Sequence, residues 1–151
     1  MENSSCFQNN DPNYVLKRAT TKEELDALVD VIWAANHTPY EPFIQLVFPV
    51  LGFGSSDRAS AISRSKDFFW TNHQAEKSSN WLYVQHVATG ETVGCAQWQV
   101  YQNNPFPSGP QKLEAPWWPV KEYREFAELI LNQVYKPRGM WMTRPHLGKP
   151  H

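Results

Sequence analysis

Leu25, Leu28, Val29, Ile32 and Trp33 recur at steps of three and four residues, which puts them along one side of a helix. Thr20 and Thr21 stand just ahead of them, followed three residues later by Glu23 and Glu24. That is the spacing at which side chains cap the first free amides of a helix. Asn36, His37 and Pro39 end the pattern. Upstream, Tyr14-Val-Leu-Lys-Arg18 reads as a short strand. Pro42 to Phe48 predicts one or two helical turns, with a proline suited to the first position and Pro49 closing the segment. Ser56 or Asp57 is placed to cap a further helix through about Asn72, with Ala59, Ile62, Phe69 and Trp70 as its apolar positions. His73 to Asn80 is polar and reads as a loop.

The period then changes from helical to alternating. Trp81-Leu-Tyr-Val-Gln-His86 and Val93-Gly-Cys-Ala-Gln-Trp98 flank a turn at Thr89-Gly90-Glu91, the signal of an antiparallel pair. Trp81, Tyr83 and Gln85 share one face; Leu82, Val84 and His86 share the other. Both faces are bulky, so the hairpin is predicted to lie in a sheet covered on both sides. Residues 103 to 119 carry five prolines and predict an irregular connection. Val120 to Tyr135 returns to helical spacing, with Tyr123, Ala127, Ile130, Leu131 and Val134 on one side, and Pro137 and Gly139 are predicted to stop it. There is no internal repeat. The pattern gives a disordered leader over 1–12, one domain over 13–147 and a tail over 148–151.

Composition narrows the classes. A chain of 151 residues with 41% apolar positions supports one real core. A net charge of -1 gives no electrostatic reason to expect nucleic acid or an anionic membrane. No apolar run reaches the length of a membrane span, and the polar N-terminus lacks the apolar stretch of a secretory signal. Cys6 and Cys95 do not make a disulfide framework, so a reducing, cytoplasmic setting is expected. His37, His73, His86, His146 and His151 are scattered, and neither cysteine joins them at zinc spacing, so no metal is expected. Gly52-Phe-Gly54-Ser-Ser56 before a helix has the composition of a phosphate cradle but lacks a buried strand leading into it, and reads as an inter-helix loop. No nucleophile-elbow sequence is present.

The order strand, two or three helices, hairpin, helix resembles the first half of a GNAT-type (Gcn5-related) N-acetyltransferase. Tyr14-Val-Leu-Lys-Arg-Ala-Thr-Thr-Lys-Glu-Glu-Leu-Asp-Ala-Leu28 is similar to the family's first strand and helix. Thr89-Gly-Glu-Thr-Val-Gly-Cys-Ala-Gln-Trp98 is similar to its third strand. The proline-rich segment and following helix resemble an insertion in small fungal members. The likeness covers roughly residues 14 to 147. The expected fold class is therefore α/β: a partial GNAT (acyl-CoA N-acyltransferase) fold, with a three-stranded antiparallel sheet and flanking helices.

The resemblance implies transfer of an acetyl group from acetyl-CoA to an amine of a small molecule or protein, in a setting such as fungal secondary metabolism. The family's "[QR]-x-x-G-x-[GA]" turn, whose amides hold the pyrophosphate of acetyl-CoA, has no counterpart here. The chain reads as a shortened copy, with acetyl-CoA as co-substrate of the parent family and no cofactor-binding or catalytic residue assigned. By position, the resemblance puts Asn36, His37, Phe43 and Phe48 at the acceptor site, with Trp98 near the next strand. The strand Val93–Gln99 would keep an open edge, which predicts self-association or a partner that pairs along it. A non-catalytic binding module is the alternative reading.

Overall fold

The computed structural model describes residues 11–36 and 41–148 of the 151-residue chain. Its elements are β1 (Tyr14–Arg18), α1 (Lys22–Ala35), α2 (Pro42–Val47), α3 (Ser55–Ala75), β2 (Ser79–His86), β3 (Thr92–Tyr101), α4 (Lys121–Trp141) and β4 (His146–Gly148). The strands form one antiparallel sheet in the order β1-β2-β3-β4. The fold is thus mixed α and β, with three full strands as predicted and a short fourth strand at the end of the tail, where residues 141 to 147 are the sequence's candidate to add one beside Val93–Gln99. The predicted tail boundary at 148 falls inside β4, which pairs Gly148, Leu147 and His146 with Gln99, Val100 and Tyr101. Cys6, His37 and most of the predicted leader lie outside the described residues.

The first helix forms as its capping residues require. Thr21 Oγ accepts from the Glu24 amide, and the Glu24 carboxylate accepts from the amides of Thr20 and Thr21. Its apolar side supplies Leu25, Leu28, Val29 and Trp33, all buried. Leu25 and Leu28 pack with Trp81 and Tyr83 of β2; Val29 and Trp33 pack with Ala61 of α3, and Phe69 touches both groups. The Trp33 indole donates to Ser65 Oγ at 2.7 Å, and Ser65 donates in turn to the Ile62 carbonyl. Two buried polar groups are thereby satisfied in a place where an unpaired one would cost about 1–3 kcal/mol.

The cap of α3 differs from the expectation. Gly54 is the capping residue, and Asp57, one turn inside, accepts from the Gly54 amide at 2.9 Å. The helix also runs on to Ala75, past the predicted end at Asn72.

α4 departs further. It continues through Pro137 and Gly139 to Trp141. A proline inside a helix removes one amide bond, but tertiary contacts hold the last turn. Arg138 donates to Gln99 Oε1 at 2.8 Å and lies between the rings of Tyr101 and Phe106. Gly139 is buried against Pro110. The buried side of α4 is also narrower than predicted: Ala127 and Leu131 are buried, whereas Tyr123 and Val134 are exposed. That buried side packs on the proline-rich connection. Glu128 accepts from the Ala115 amide, and Asn132 bonds both the amide and the carbonyl of Leu113.

All four helices lie on one side of the sheet. Strand alternation puts Ser79, Trp81, Tyr83, Cys95, Gln97 and Gln99 on that side, where they meet α1, α3 and α4. Leu16, Leu82, Val84, Ala96 and Trp98 point to the opposite side, where Leu16 is exposed and the other four are half-buried. Both faces carry bulky residues, as predicted, and the buried ones, Trp81 and Tyr83, are on the helix side.

Candidate functional site

Of the residues assigned to the acceptor site, the four described ones, Asn36, Phe43, Phe48 and Trp98, do not form one cluster. Asn36 ends α1, where its side-chain amide donates to the Ile32 carbonyl at 2.8 Å and its own carbonyl accepts from the Glu41 amide. This geometry is structural. Phe43 sits on the outer side of α2 and is exposed. Phe48 packs into the aromatic cluster of α3, with ring centroids 5.6 Å from Phe68 and 5.0 Å from Phe69. Trp98 is on the sheet face turned away from the helices, opposite Asn80. The sheet therefore stands between Phe48 and Trp98. The reason is the alternation of β3: Gln97 bonds Ser79 on the helix side, so its neighbour Trp98 must point the other way.

Phe48 does line a cavity, of about 140 Å3, whose walls include Val47, Ala61, Phe68 and Trp117. Arg64 enters it, with its guanidinium donating to the Pro49 carbonyl at 3.1 Å. Trp117 and Trp118 close the region from the connection, and both indoles donate to the Leu46 carbonyl, at 2.7 and 3.1 Å. The walls are apolar, and the space fits a small apolar group rather than a nucleotide.

A larger, open cleft of about 630 Å3 lies at the ends of β2 and β3, lined by Ser78, Asn80, Tyr101, Asn103 and Asn104 among others. Its side-chain amides and hydroxyls suit hydrogen bonding to a polar group. Next to it, on the helix side, His73 Nδ1 and Ser79 Oγ are 3.1 Å apart, and Gln97 donates to the same Oγ at 2.7 Å. Sequence reading missed this trio, although alternation within β2 and β3 would have put Ser79 and Gln97 on one face. Ser79 is buried, so the trio is a packed polar network and not an exposed nucleophile.

Burial, and then the Arg18 charge, push the His73 imidazole below its ordinary value. The amides of Thr20 and Thr21 hold the Glu24 carboxyl below its own, with help from the hydroxyls of Thr20 and Tyr83. Both shifts weaken the fold in acid. The unfolded chain protonates His73 near pH 6.5, as an ordinary histidine does, while the folded chain resists until lower pH, so the unfolded state binds more protons in that window. Glu24 contributes stability above the ordinary carboxylate range and loses it as pH falls through its lower folded value. Thermal melting from pH 7.5 down to 3.5 should therefore show a decline that begins near pH 6.5 and a second below about pH 4.5. His73→Gln should remove the first decline and leave the second; an unchanged first decline would assign it elsewhere.

At the Gly52–Ser56 loop, the Asp57 carboxylate occupies the position facing the Gly54 amide. The α3 N-terminus thus already has its anion, in keeping with the loop reading. No group of three or more His, Cys, Asp or Glu residues among those described is placed to hold a metal. Cys95 is half-buried, with its thiol against the Leu28 carbonyl. No helix among the described residues is long and apolar enough to cross a membrane. Comparison of the chain with protein-family models, curated proteins and solved structures returns no match.

Proposed function

We propose that this chain is an acetyltransferase-like protein on the GNAT plan, whose parent activity is acetyl transfer from acetyl-CoA to an amine. The observation that carries the reading is the sheet order β1-β2-β3-β4, with α1 to α3 inserted between β1 and β2. It is the order that the sequence resemblance implies, and β4 starts beside the end of β3, where the resemblance places the next strand. In this reading the acceptor binds on the α2 side, near Phe48 and Trp117, and an attacking amine needs a base to take its proton. No residue is assigned to that step. The pyrophosphate turn has no counterpart in the sequence, so acetyl-CoA binds the chain weakly.

A second reading rests on a different observation. β4 pairs with β3 only at Gln99–Tyr101, so among the described residues Thr92–Trp98 has no strand on its outer edge. A non-catalytic module would use that edge to add a strand from a partner.

One experiment separates the two. The chain is incubated with acetyl-CoA and a panel of primary amines, free thiol release is followed, and CoA binding is measured by calorimetry. Weak CoA binding with saturable, acceptor-dependent thiol release is the expected result. Absence of both, up to millimolar CoA, would overturn the acetyl-transfer reading in favour of the edge-pairing module. A micromolar dissociation constant would show that a phosphate site exists in this chain and that the weak-binding expectation is wrong.

A further inference from the structure

The cavity beside Phe48 joins an apolar interior to a charge that nothing in the described chain neutralises. Its floor is Ala61, only 2% exposed, and its walls include the rings of Phe48, Phe68 and Trp117. Phe68 stands edge-on to both other rings, with centroids 5.6 Å from Phe48 and 6.4 Å from Trp117. Of the lining side chains, Phe68 and Arg64 are exposed and mark the open side. One terminal nitrogen of the Arg64 guanidinium donates to the Pro49 carbonyl. Among the described residues its other N–H groups have no acceptor, and its charge has no carboxylate partner. The aspartates of α3 are committed elsewhere: Asp57 accepts from the Gly54 amide, and Asp67 pairs with Lys22.

Hydrogen bonds hold this space open. Close-packed interiors keep few voids larger than a water molecule. Here three segments meet at fixed points. Trp117 and Trp118 of the connection bond the Leu46 carbonyl of α2, and Arg64 of α3 bonds the Pro49 carbonyl just beyond it. Collapse of the walls would break those bonds. At about 140 Å3 the volume is close to that of engineered apolar cavities, roughly 150 Å3, that accept one benzene ring. Aromatic walls favour a ring over an alkyl chain, because edge-to-face contacts add to the area buried. An arginine fork matches the two oxygens of a carboxylate.

We propose that this cavity binds a small aromatic carboxylate, with its single ring against Phe48, Phe68 and Trp117 and its carboxylate on the Arg64 guanidinium. The size admits one six-membered ring and excludes fused ring systems. Binding is weak in absolute terms. A ligand of so few atoms has a limited total affinity, and an ion pair at an exposed mouth contributes about fivefold at most. The inference goes beyond the acetyl-transfer reading: it stands on the cavity alone, and binding needs neither acetyl-CoA nor transfer.

The test is a titration of the full chain at pH 7, followed by the amide and indole resonances of nitrogen-15-labelled protein. Benzoate is the probe. Benzyl alcohol keeps the ring without the charge, and butyrate keeps the charge without the ring. Benzoate should give saturable shifts, with a millimolar dissociation constant, centred on Phe48, Ala61, Phe68 and the Trp117 indole. Benzyl alcohol should bind there about threefold to fivefold more weakly, and butyrate more weakly than benzoate. Arg64→Gln should bring benzoate down to the benzyl alcohol level and leave benzyl alcohol unchanged, while Arg64→Lys should keep part of the difference. Raising salt to about 0.5 M should weaken benzoate alone, because an exposed ion pair is screened. Arg64 is exposed, so the fold should survive its replacement, which the spectrum itself checks; if it does not, the salt dependence decides. No saturable shift up to about 20 mM benzoate, shifts centred elsewhere, or a preference for benzoate that outlasts both Arg64→Gln and high salt would each overturn the proposal. Failure of the acetyl-transfer reading would leave these results unchanged, since no step of the titration involves it.

Discussion

Leu28→Ala should lower the stability of the fold by about 2–5 kcal/mol, the range for deleting a fully buried leucine side chain. Leu28 is 1% exposed and sits where α1 crosses the sheet, among Leu25, Trp81 and Tyr83. Two features push the cost toward the upper part of that range. The neighbours are large rings and a strand, which cannot collapse into the space without breaking their own contacts. The backbone there is also fixed, because the Leu28 carbonyl receives the Cys95 thiol from β3 at 3.8 Å. Urea unfolding of the two proteins measures the difference. A loss below about 1 kcal/mol would mean that the site closes around the smaller residue, and that α1 is not seated on the sheet as described.

Gly139→Ala should destabilise the chain, by about 1–3 kcal/mol, and here the sign is more informative than the size. In an ordinary helix interior the same change stabilises by about 0.5–1 kcal/mol, since alanine loses less backbone freedom on folding. At this position an added Cβ would lie 2.5 Å from Pro110 Cα and 3.1 Å from Pro110 N. Those are backbone atoms of a proline in the connection, and they cannot rotate aside. The last turn of α4 would have to lift, taking Arg138 away from Gln99. Denaturant unfolding again decides. A more stable Gly139→Ala protein would show that Pro110 does not lie against the helix.

What was legible in the sequence depended on how far apart the deciding residues stand. The Thr21 and Glu24 cap and the Thr89-Gly90 turn were readable because each is settled within a few residues; Gly90 takes a φ of 70°, which glycine adopts without strain. The alternation of β2 was readable too, including which residues share a face. Whether each face is covered was not readable, because cover comes from elements remote in the chain. α4 shows the same limit. Its apolar residues span more than one side, and the side that is buried is chosen by the path of residues 103–119, which has no periodicity to read. Pro137 and Gly139 looked like stops by local propensity, yet the contacts of Arg138 and Gly139 outweigh it. One residue of alternation puts Trp98 on the far side of the sheet from Phe48, a separation that the position of each residue in the sequence does not announce. The His73, Ser79 and Gln97 trio joins a loop-flanking helix end to two strands, so no single stretch of sequence announces it.

The two indoles that converge on Leu46 bear on how the chain closes on itself. Trp117 and Trp118 reach an acceptor 71 and 72 residues back along the chain. Bringing the ends of such a loop together carries an entropic cost that grows only with the logarithm of loop length. The first indole to dock meets nearly all of that cost; the second, one residue away, forms its bond inside a loop already closed. The pair therefore acts as a chelate, in which either ring holds α2 near the start of α4 while the other exchanges with water. A single atom of a six-residue helix, gripped twice, thus fixes the distance between the two halves of the helical layer.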